Sequence, residues 1–78
     1  MTISVLYFAR LREDLGRERD TIAADLGDIV TVADVWRHLH GAAPPPRLLA
    51  AVNQNHARMD SPVADGDEVA FFPPVTGG

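Results

Sequence analysis

The first residues of the chain alternate in a way that is typical of a β-strand. Residues 2–8 are rich in β-branched and aromatic side chains, and successive side chains of a strand point to opposite faces of its sheet. One face carries Ile3, Val5 and Tyr7, which are expected in the core. The other face carries Phe8, which is expected to point outward.

The next segments predict a short helix and a second strand. Apolar residues four apart predict a helix from Ala9 to Leu15, and Gly16 is expected to end it. A strand is predicted from Arg19 to Ala24. The mixed charges of Arg17 to Asp20 are interpreted as a solvated turn.

The central segment predicts the main helix. Thr31 can cap its first N–H groups, and Asp34, three residues later, suggests an imperfect capping box. Helical spacing then places an apolar stripe on one face, and Gly41 is expected to end the helix. The stripe consists of Val32, Val35, Trp36 and Leu39. Trp36 is interpreted as a core residue rather than a binding platform.

The second half predicts short strands. Residues 42–47, with three consecutive prolines, form a stiff spacer. A strand is predicted over Leu48 to Val52, a turn over Asn53 to His56, and a brief returning strand over Ala57 to Met59. A last strand, Glu68 to Phe72, is expected to lie in mid-sheet, parallel to the first.

These elements predict an α+β fold in which a mixed sheet of about four to five strands packs on one main helix. Residues 1–72 would form the domain, and residues 73–78 an extended tail. In the last strand Phe71 should enter the core and Phe72 should point outward. Two outward aromatic residues, Phe8 and Phe72, predict a partner interface near the tail.

Composition narrows the class of function. With 78 residues the chain can form one domain, and a net charge of −4 argues against nucleic acid and for a basic partner protein. The sequence has neither a membrane-length apolar run nor the basic start of a signal peptide, so a cytoplasmic location is expected. All seven cationic residues are arginine, and cysteine is absent. The domain therefore offers neither a lysine nor a thiol nucleophile.

Metal binding and catalysis by side chains are not expected. His38 and His40 would face apart on a helix, and His56 lies in a distant turn, so all three are interpreted as surface or helix-end residues. Asp65, Asp67 and Glu68 lack the further ligands of a calcium loop and are interpreted as a solvated acidic rim.

The remaining chemical group is the C-terminal carboxylate. Pro73 and Pro74 favour an extended backbone, and Gly77 and Gly78 have no Cβ, so the tail could enter a tunnel too narrow for side chains. An ionised carboxylate resists nucleophiles until it is activated. Transfer of AMP from ATP would create an acyl-adenylate, which a persulfide or another nucleophile could attack. This chemistry describes a carrier rather than an enzyme with activity of its own.

Three stretches carry a resemblance to a known family, and together they span essentially the whole chain. They are Val5 to Glu13 (VLYFARLRE), Ala51 to Gln54 (AVNQ) and Asp65 to Gly78 (DGDEVAFFPPVTGG). They resemble the small subunit of molybdopterin synthase, a MoaD-type sulfur carrier. Residues 42–47 and 55–58 are less typical of it. The resemblance implies a β-grasp, ubiquitin-like fold.

The resemblance also implies roles for the tail. Gly78 would be adenylated by a MoeB-type enzyme, with AMP as a transient group and no stably bound cofactor. It would then become a thiocarboxylate with sulfur from a persulfide donor. Val75 and Thr76 would line the tunnel of a MoaE-type large subunit, and Gly77 would be the slim threading residue.

In the resulting heterotetramer, sulfur would pass to cyclic pyranopterin monophosphate. Phe8 and Phe72, together with Pro73 and Pro74, would contact the partner. Other functions remain open from the residues alone. They are a ThiS-type carrier for thiazole synthesis, a carrier for cysteine synthesis or tRNA thiolation, a ubiquitin-like protein modifier, and a plain interaction module.

Overall fold

The computed structural model describes residues 2–23, 27 and 29–74. Its elements, in chain order, are β1 (Thr2–Tyr7), α1 (Ala9–Leu15), β2 (Arg19–Ala23), α2 (Val32–His40), β3 (Leu49–Val52), β4 (Asn55–Ala57) and β5 (Glu68–Phe72). Both helices have the predicted bounds. The predicted tail residues Val75, Thr76, Gly77 and Gly78 lie outside the described residues.

The strands form one mixed sheet in the order β2-β1-β5-β3-β4. β1 and β5 are parallel neighbours, with Val5 opposite Val69 and Tyr7 opposite Phe71. The pairs β1–β2, β3–β5 and β3–β4 are antiparallel. The prediction that the last strand lies in mid-sheet beside the first is therefore confirmed.

The core lies between the sheet and α2. The inward residues of β1 are buried as predicted, and so are Val69 and Phe71 of β5. Helix α2 contributes Val32, Val35 and Trp36 from its apolar stripe. Because these residues are the ones predicted from periods of two and 3.6, the hydrophobic pattern alone accounts for how the layers pack.

Helix α2 begins with a complete capping box. The Asp34 N–H donates to Thr31 Oγ1 at 3.3 Å, and Asp34 Oδ2 accepts from the Thr31 N–H at 3.0 Å. Gly16 and Gly41 both adopt the left-handed conformation, with φ of 71°. Because glycine reaches this region without steric cost, the predicted helix ends are confirmed with their physical cause.

The hairpin between β3 and β4 differs from the prediction. Its loop is Asn53–Gln54, with φ of 51° and 69°, and β4 begins at Asn55. The predicted four-residue turn and the strand over Ala57 to Met59 are therefore wrong. Two consecutive residues with positive φ match the right-handed twist of the flanking strands, and asparagine tolerates this conformation.

In the part of the chain that the structure describes, no helix is both long enough and apolar enough to cross a membrane.

Candidate functional site

The candidate site is the edge of the sheet where β1 and β5 both end. Because these strands are parallel, their carboxyl ends meet at the same edge. Phe8 follows β1, and its N–H donates to the carbonyl oxygen of Phe71 at 3.1 Å. Phe72 ends β5, and Pro73 and Pro74 follow. The sheet thus fixes where the tail begins relative to Phe8. We call this edge the exit end.

The two predicted interface aromatics differ in exposure. Phe8 is 47% exposed, although it is a large apolar side chain. Phe72 is half-buried, and the ring of His56 on β4 meets it edge to face, with centroids 5.9 Å apart. Of the two tail prolines, Pro73 is half-buried and Pro74 is exposed. The exit end therefore offers an apolar surface of which Phe8 is the most accessible part.

A groove of about 190 Å³ lies beside Phe8. It is lined by Leu6, Tyr7, Phe8, Arg12, Glu18 and Arg19. Three of these residues are apolar or aromatic and three are charged, and interfaces between proteins likewise combine apolar and polar surface.

Aromatic side chains pack together on the core side of the exit end. The ring of Phe71 stacks on Tyr7, with centroids 6.3 Å apart, and meets Trp36 edge to face at 5.1 Å. His40, the last residue of α2, lies against Trp36 at 4.1 Å and against Tyr7 at 5.7 Å. The end of β5 consequently rests on a packed aromatic layer.

The hydroxyl of Tyr7 is bound on two sides within this layer. It donates to Asp20 Oδ2 at 2.8 Å, and it lies 3.0 Å from His40 Nε2. Arg17 Nε is 3.2 Å from the same carboxylate oxygen. Burial, followed by the hydrogen bond to Asp20, raises the pKa of Tyr7 above its ordinary value. Burial, followed by the charge of Arg17, lowers the pKa of His40.

Sequence reasoning missed this polar contact. The interpretation of Arg17 to Asp20 as a solvated turn is wrong for Asp20, which is half-buried in β2 and bonded to Tyr7. His40 ends its helix as predicted, but it is half-buried. The available signal was Tyr7 itself, because a buried tyrosine hydroxyl usually finds a hydrogen-bond partner.

The acidic side chains before β5 accept hydrogen bonds from backbone N–H groups. Asp65 Oδ1 accepts from the Thr2 N–H at 2.7 Å, and Asp67 Oδ2 accepts from the Ala64 N–H at 2.8 Å. Asn53 joins this network through Asp67 Oδ1 and the Glu68 N–H, both at 3.0 Å. Among the described residues no three histidine, aspartate or glutamate side chains are placed to hold a metal ion. The residues of this network lie at the edge of the sheet where β1 and β5 begin, opposite the exit end. We call this edge the turn end.

The fold places the chain in the class of β-grasp, ubiquitin-like proteins. Over its full length it superposes on the crystal structure of SAMP1 from Haloferax volcanii, which it covers completely, with a TM-score of 0.77 and 28% sequence identity. The chain belongs to the ThiS family, whose model matches residues 5–78.

Two relatives carry a more specific name. Over 97% of this chain and 99% of the relative, the sequence is 46% identical to the molybdopterin synthase sulfur carrier subunit of Escherichia coli. The protein of the same name from Haemophilus influenzae is 41% identical over the same shares. The resemblance stated from the three sequence stretches is thereby confirmed.

Proposed function

We propose that this chain is the sulfur-carrying subunit of a molybdopterin synthase. The observation that carries the proposal is the full-length similarity to relatives of that name. The geometry of the exit end supports it, because the last strand is held in mid-sheet and ends at the same edge as β1, where Phe8 is exposed. A carrier requires both an accessible end and a surface by which partners recognise it.

The proposed chemistry takes place on the carboxylate of Gly78. One of its oxygens attacks the α-phosphorus of ATP and releases pyrophosphate, which leaves a mixed anhydride with AMP. A persulfide then attacks the carbonyl carbon and displaces AMP. A thiol finally cleaves the resulting acyl disulfide and leaves a thiocarboxylate on Gly78. A MoeB-type enzyme would supply the adenylation site, so this chain needs no stably bound cofactor.

The acceptor reaction would occur in a MoaE-type large subunit. Val75, Thr76 and Gly77 would pass through its tunnel, while Phe8, Phe72, Pro73 and Pro74 would contact its surface. Because this chain contains no lysine, a lysine that assists sulfur release from the thiocarboxylate would have to come from the partner. We propose a heterotetramer with the large subunits at its centre, acting in the cytoplasm on cyclic pyranopterin monophosphate.

The test is the intact mass of the untagged chain after incubation with ATP, a MoeB-type enzyme and a persulfide donor. A mass gain equal to the replacement of one oxygen by sulfur is expected. Deletion of Gly78 is the matched control, and it should abolish the gain without changing the thermal unfolding curve. No mass change in the wild type, with partners that are active on another carrier, would refute the proposal.

A further inference from the structure

A cluster of polar groups, in which one residue is buried and two are half-buried, lies on the core side of the exit end and takes no part in the chemistry proposed above. We call it the Tyr7 cluster and define it as Tyr7, Asp20 and His40. Tyr7 is only 1% exposed, yet its hydroxyl contacts Asp20 of β2 and His40 of α2. The cluster therefore joins two strands and the main helix at one buried oxygen.

The proton positions in the Tyr7 cluster follow from counting donors. A phenol has one proton and a carboxylate has none, so Tyr7 donates to Asp20. The phenol oxygen must then accept a hydrogen bond from His40, so the proton of the neutral imidazole lies on Nε2. Arg17 donates to the same oxygen of Asp20 at 3.2 Å. The bonds from Tyr7 and Arg17 both end on the Asp20 carboxylate, and such charge-assisted hydrogen bonds are stronger than bonds between neutral groups.

The Tyr7 cluster contacts the strand ends directly. The Tyr7 ring stacks on Phe71, its partner across the parallel β1–β5 pair. Phe71 also accepts the hydrogen bond of the Phe8 N–H. Trp36 fills the space between His40 and Phe71. A change in how Tyr7 is held would thus pass through one ring contact to the residue that precedes Phe72.

We propose that the Tyr7 cluster positions the end of β5, and with it the start of the tail, for the enzyme that adenylates Gly78, and that protonation of His40 weakens this positioning. The inference rests on the proposed function. Tyr7 and His40 are positioning residues, because they act through Phe71 and not on the reacting atoms.

The pH response follows from the surroundings of His40. The charged groups near it are Arg17, which opposes a second proton, and Asp20, which favours one. The Tyr7 hydroxyl and the Trp36 ring complete its contacts. Because Nε2 already carries a proton, a second one must go to Nδ1. Because burial and Arg17 together outweigh Asp20, the charged ring is less stable in this half-buried place than in solvent, so protonation shifts the equilibrium toward a ring that has left Tyr7.

The first experiment measures KM and kcat of the adenylating enzyme for the carrier. Tyr7→Phe removes the hydroxyl and keeps the ring. It should raise KM about three- to tenfold with kcat unchanged, because a smaller fraction of carriers presents the tail in the competent direction. Ile3→Val, a buried change at the far end of β1, should leave KM unchanged. Equal KM values for Tyr7→Phe and the wild type, or an equal rise in Ile3→Val, would overturn the proposal.

The second experiment follows pH. Trp36 is the single tryptophan, and its ring lies against that of His40, so its fluorescence reports a change in this contact. Its emission should change on acidification with a midpoint below about 6.5, the ordinary histidine pKa, and KM should rise over the same range. His40→Gln keeps an N–H donor without the titration, so both curves should become flat. A His40→Gln variant with the wild-type pH dependence of KM would contradict the inference.

A third measurement separates this inference from the proposed function, because it needs no partner enzyme. In Tyr7→Phe, hydrogen exchange at the Phe8 N–H should accelerate about tenfold relative to the Ser4 N–H, which donates to the Asp67 carbonyl at the turn end. Equal acceleration at both amides would reveal only a general loss of stability and would overturn the positioning role. A wild type that forms no thiocarboxylate would refute the function, while this exchange ratio still decides on the Tyr7 cluster.

Discussion

The exit end and the turn end of the sheet are stabilised by different kinds of interaction. At the turn end, exposed carboxylate and amide groups of Asn53, Asp65 and Asp67 accept from or donate to nearby groups of the chain. At the exit end, the buried Tyr7 ring stacks on Phe71 and its hydroxyl bonds to Asp20, while Phe8 remains nearly half exposed. One end is completed by its own polar groups, and the other leaves apolar surface for another molecule.

This difference indicates that residues at the turn end contribute to stability, whereas surface residues at the exit end contribute to partner binding. Short polar bonds at the turn end satisfy backbone groups in solvent, so they need no partner. An exposed phenylalanine beside a groove gains free energy only when something covers it. Substitutions at the turn end should therefore change stability alone, whereas surface substitutions at the exit end should change binding alone.

The largest effect is expected for Phe71→Ala. Phe71 is fully buried beneath the exit end, and the lost burial and the cavity together should lower the free energy of unfolding by about 3–5 kcal/mol. Urea unfolding followed by Trp36 fluorescence measures the loss. Phe72→Ala, one residue along and half-buried, is the matched variant and should cost clearly less. Equal losses would show that the two faces of β5 do not divide stability and recognition as described.

The next effect is expected for Phe8→Ala. Its affinity for the adenylating enzyme or the large subunit should fall at least tenfold, which is about 1.4 kcal/mol. Its unfolding free energy should change by no more than about 0.5 kcal/mol. Calorimetric titration measures the affinity. Val30→Ala removes the other large apolar side chain that is exposed among the described residues; it is 59% exposed and lies two residues before α2. An affinity loss of similar size in that variant would argue against a localised interface.

At the turn end, Asn53→Ala should lower the free energy of unfolding by about 1–2 kcal/mol and leave partner affinity unchanged. The variant loses the bonds to Asp67 and to the Glu68 N–H, and it places alanine at a positive φ. Gln54→Ala shares the backbone cost at the second turn position. If chemical denaturation shows equal losses for both variants, the side-chain bonds of Asn53 contribute nothing.

The smallest effect concerns the pH dependence at the start of α2. Hydrogen bonds from the Val30 N–H and then the Thr31 N–H lower the pKa of Asp34 below its ordinary value of 3.8. Its contribution to stability is therefore present above pH 3.8 and is lost as the pH falls through the lowered folded value. Asp34→Asn should flatten this part of the curve of urea midpoint against pH. An unchanged slope in that variant would assign the acid sensitivity to other carboxylates.

Local rules predicted much of this fold from the sequence. The alternation around Val5 and the stripe around Trp36 identified the core, and Thr31 with Asp34 identified the start of α2. Each of these features depends on residues that are close together in the sequence, within one strand or one helix. The resemblance of the last fourteen residues pointed to the tail, and its roles for Val75 to Gly78 stay predictions.

Features that depend on long-range contacts or on an unusual turn were not predicted. The β3–β4 loop uses Asn53 and Gln54 at positive φ, where a glycine would have been the recognisable signal. The Tyr7 cluster joins residues that are 13 and 33 positions apart in the chain. No period along the sequence relates such positions, so only the packed structure brings them together.

The central place of β5 has a consequence for biosynthesis. Ribosomes make a chain from its N-terminus, so the other four strands emerge before the one that holds them together. A product that stops short of residue 68 would lack the strand between β1 and β3 and could not assemble the sheet. A product truncated in this way would be unfolded and open to proteolysis. It would not be a folded domain that lacks the tail and competes for the partner proteins.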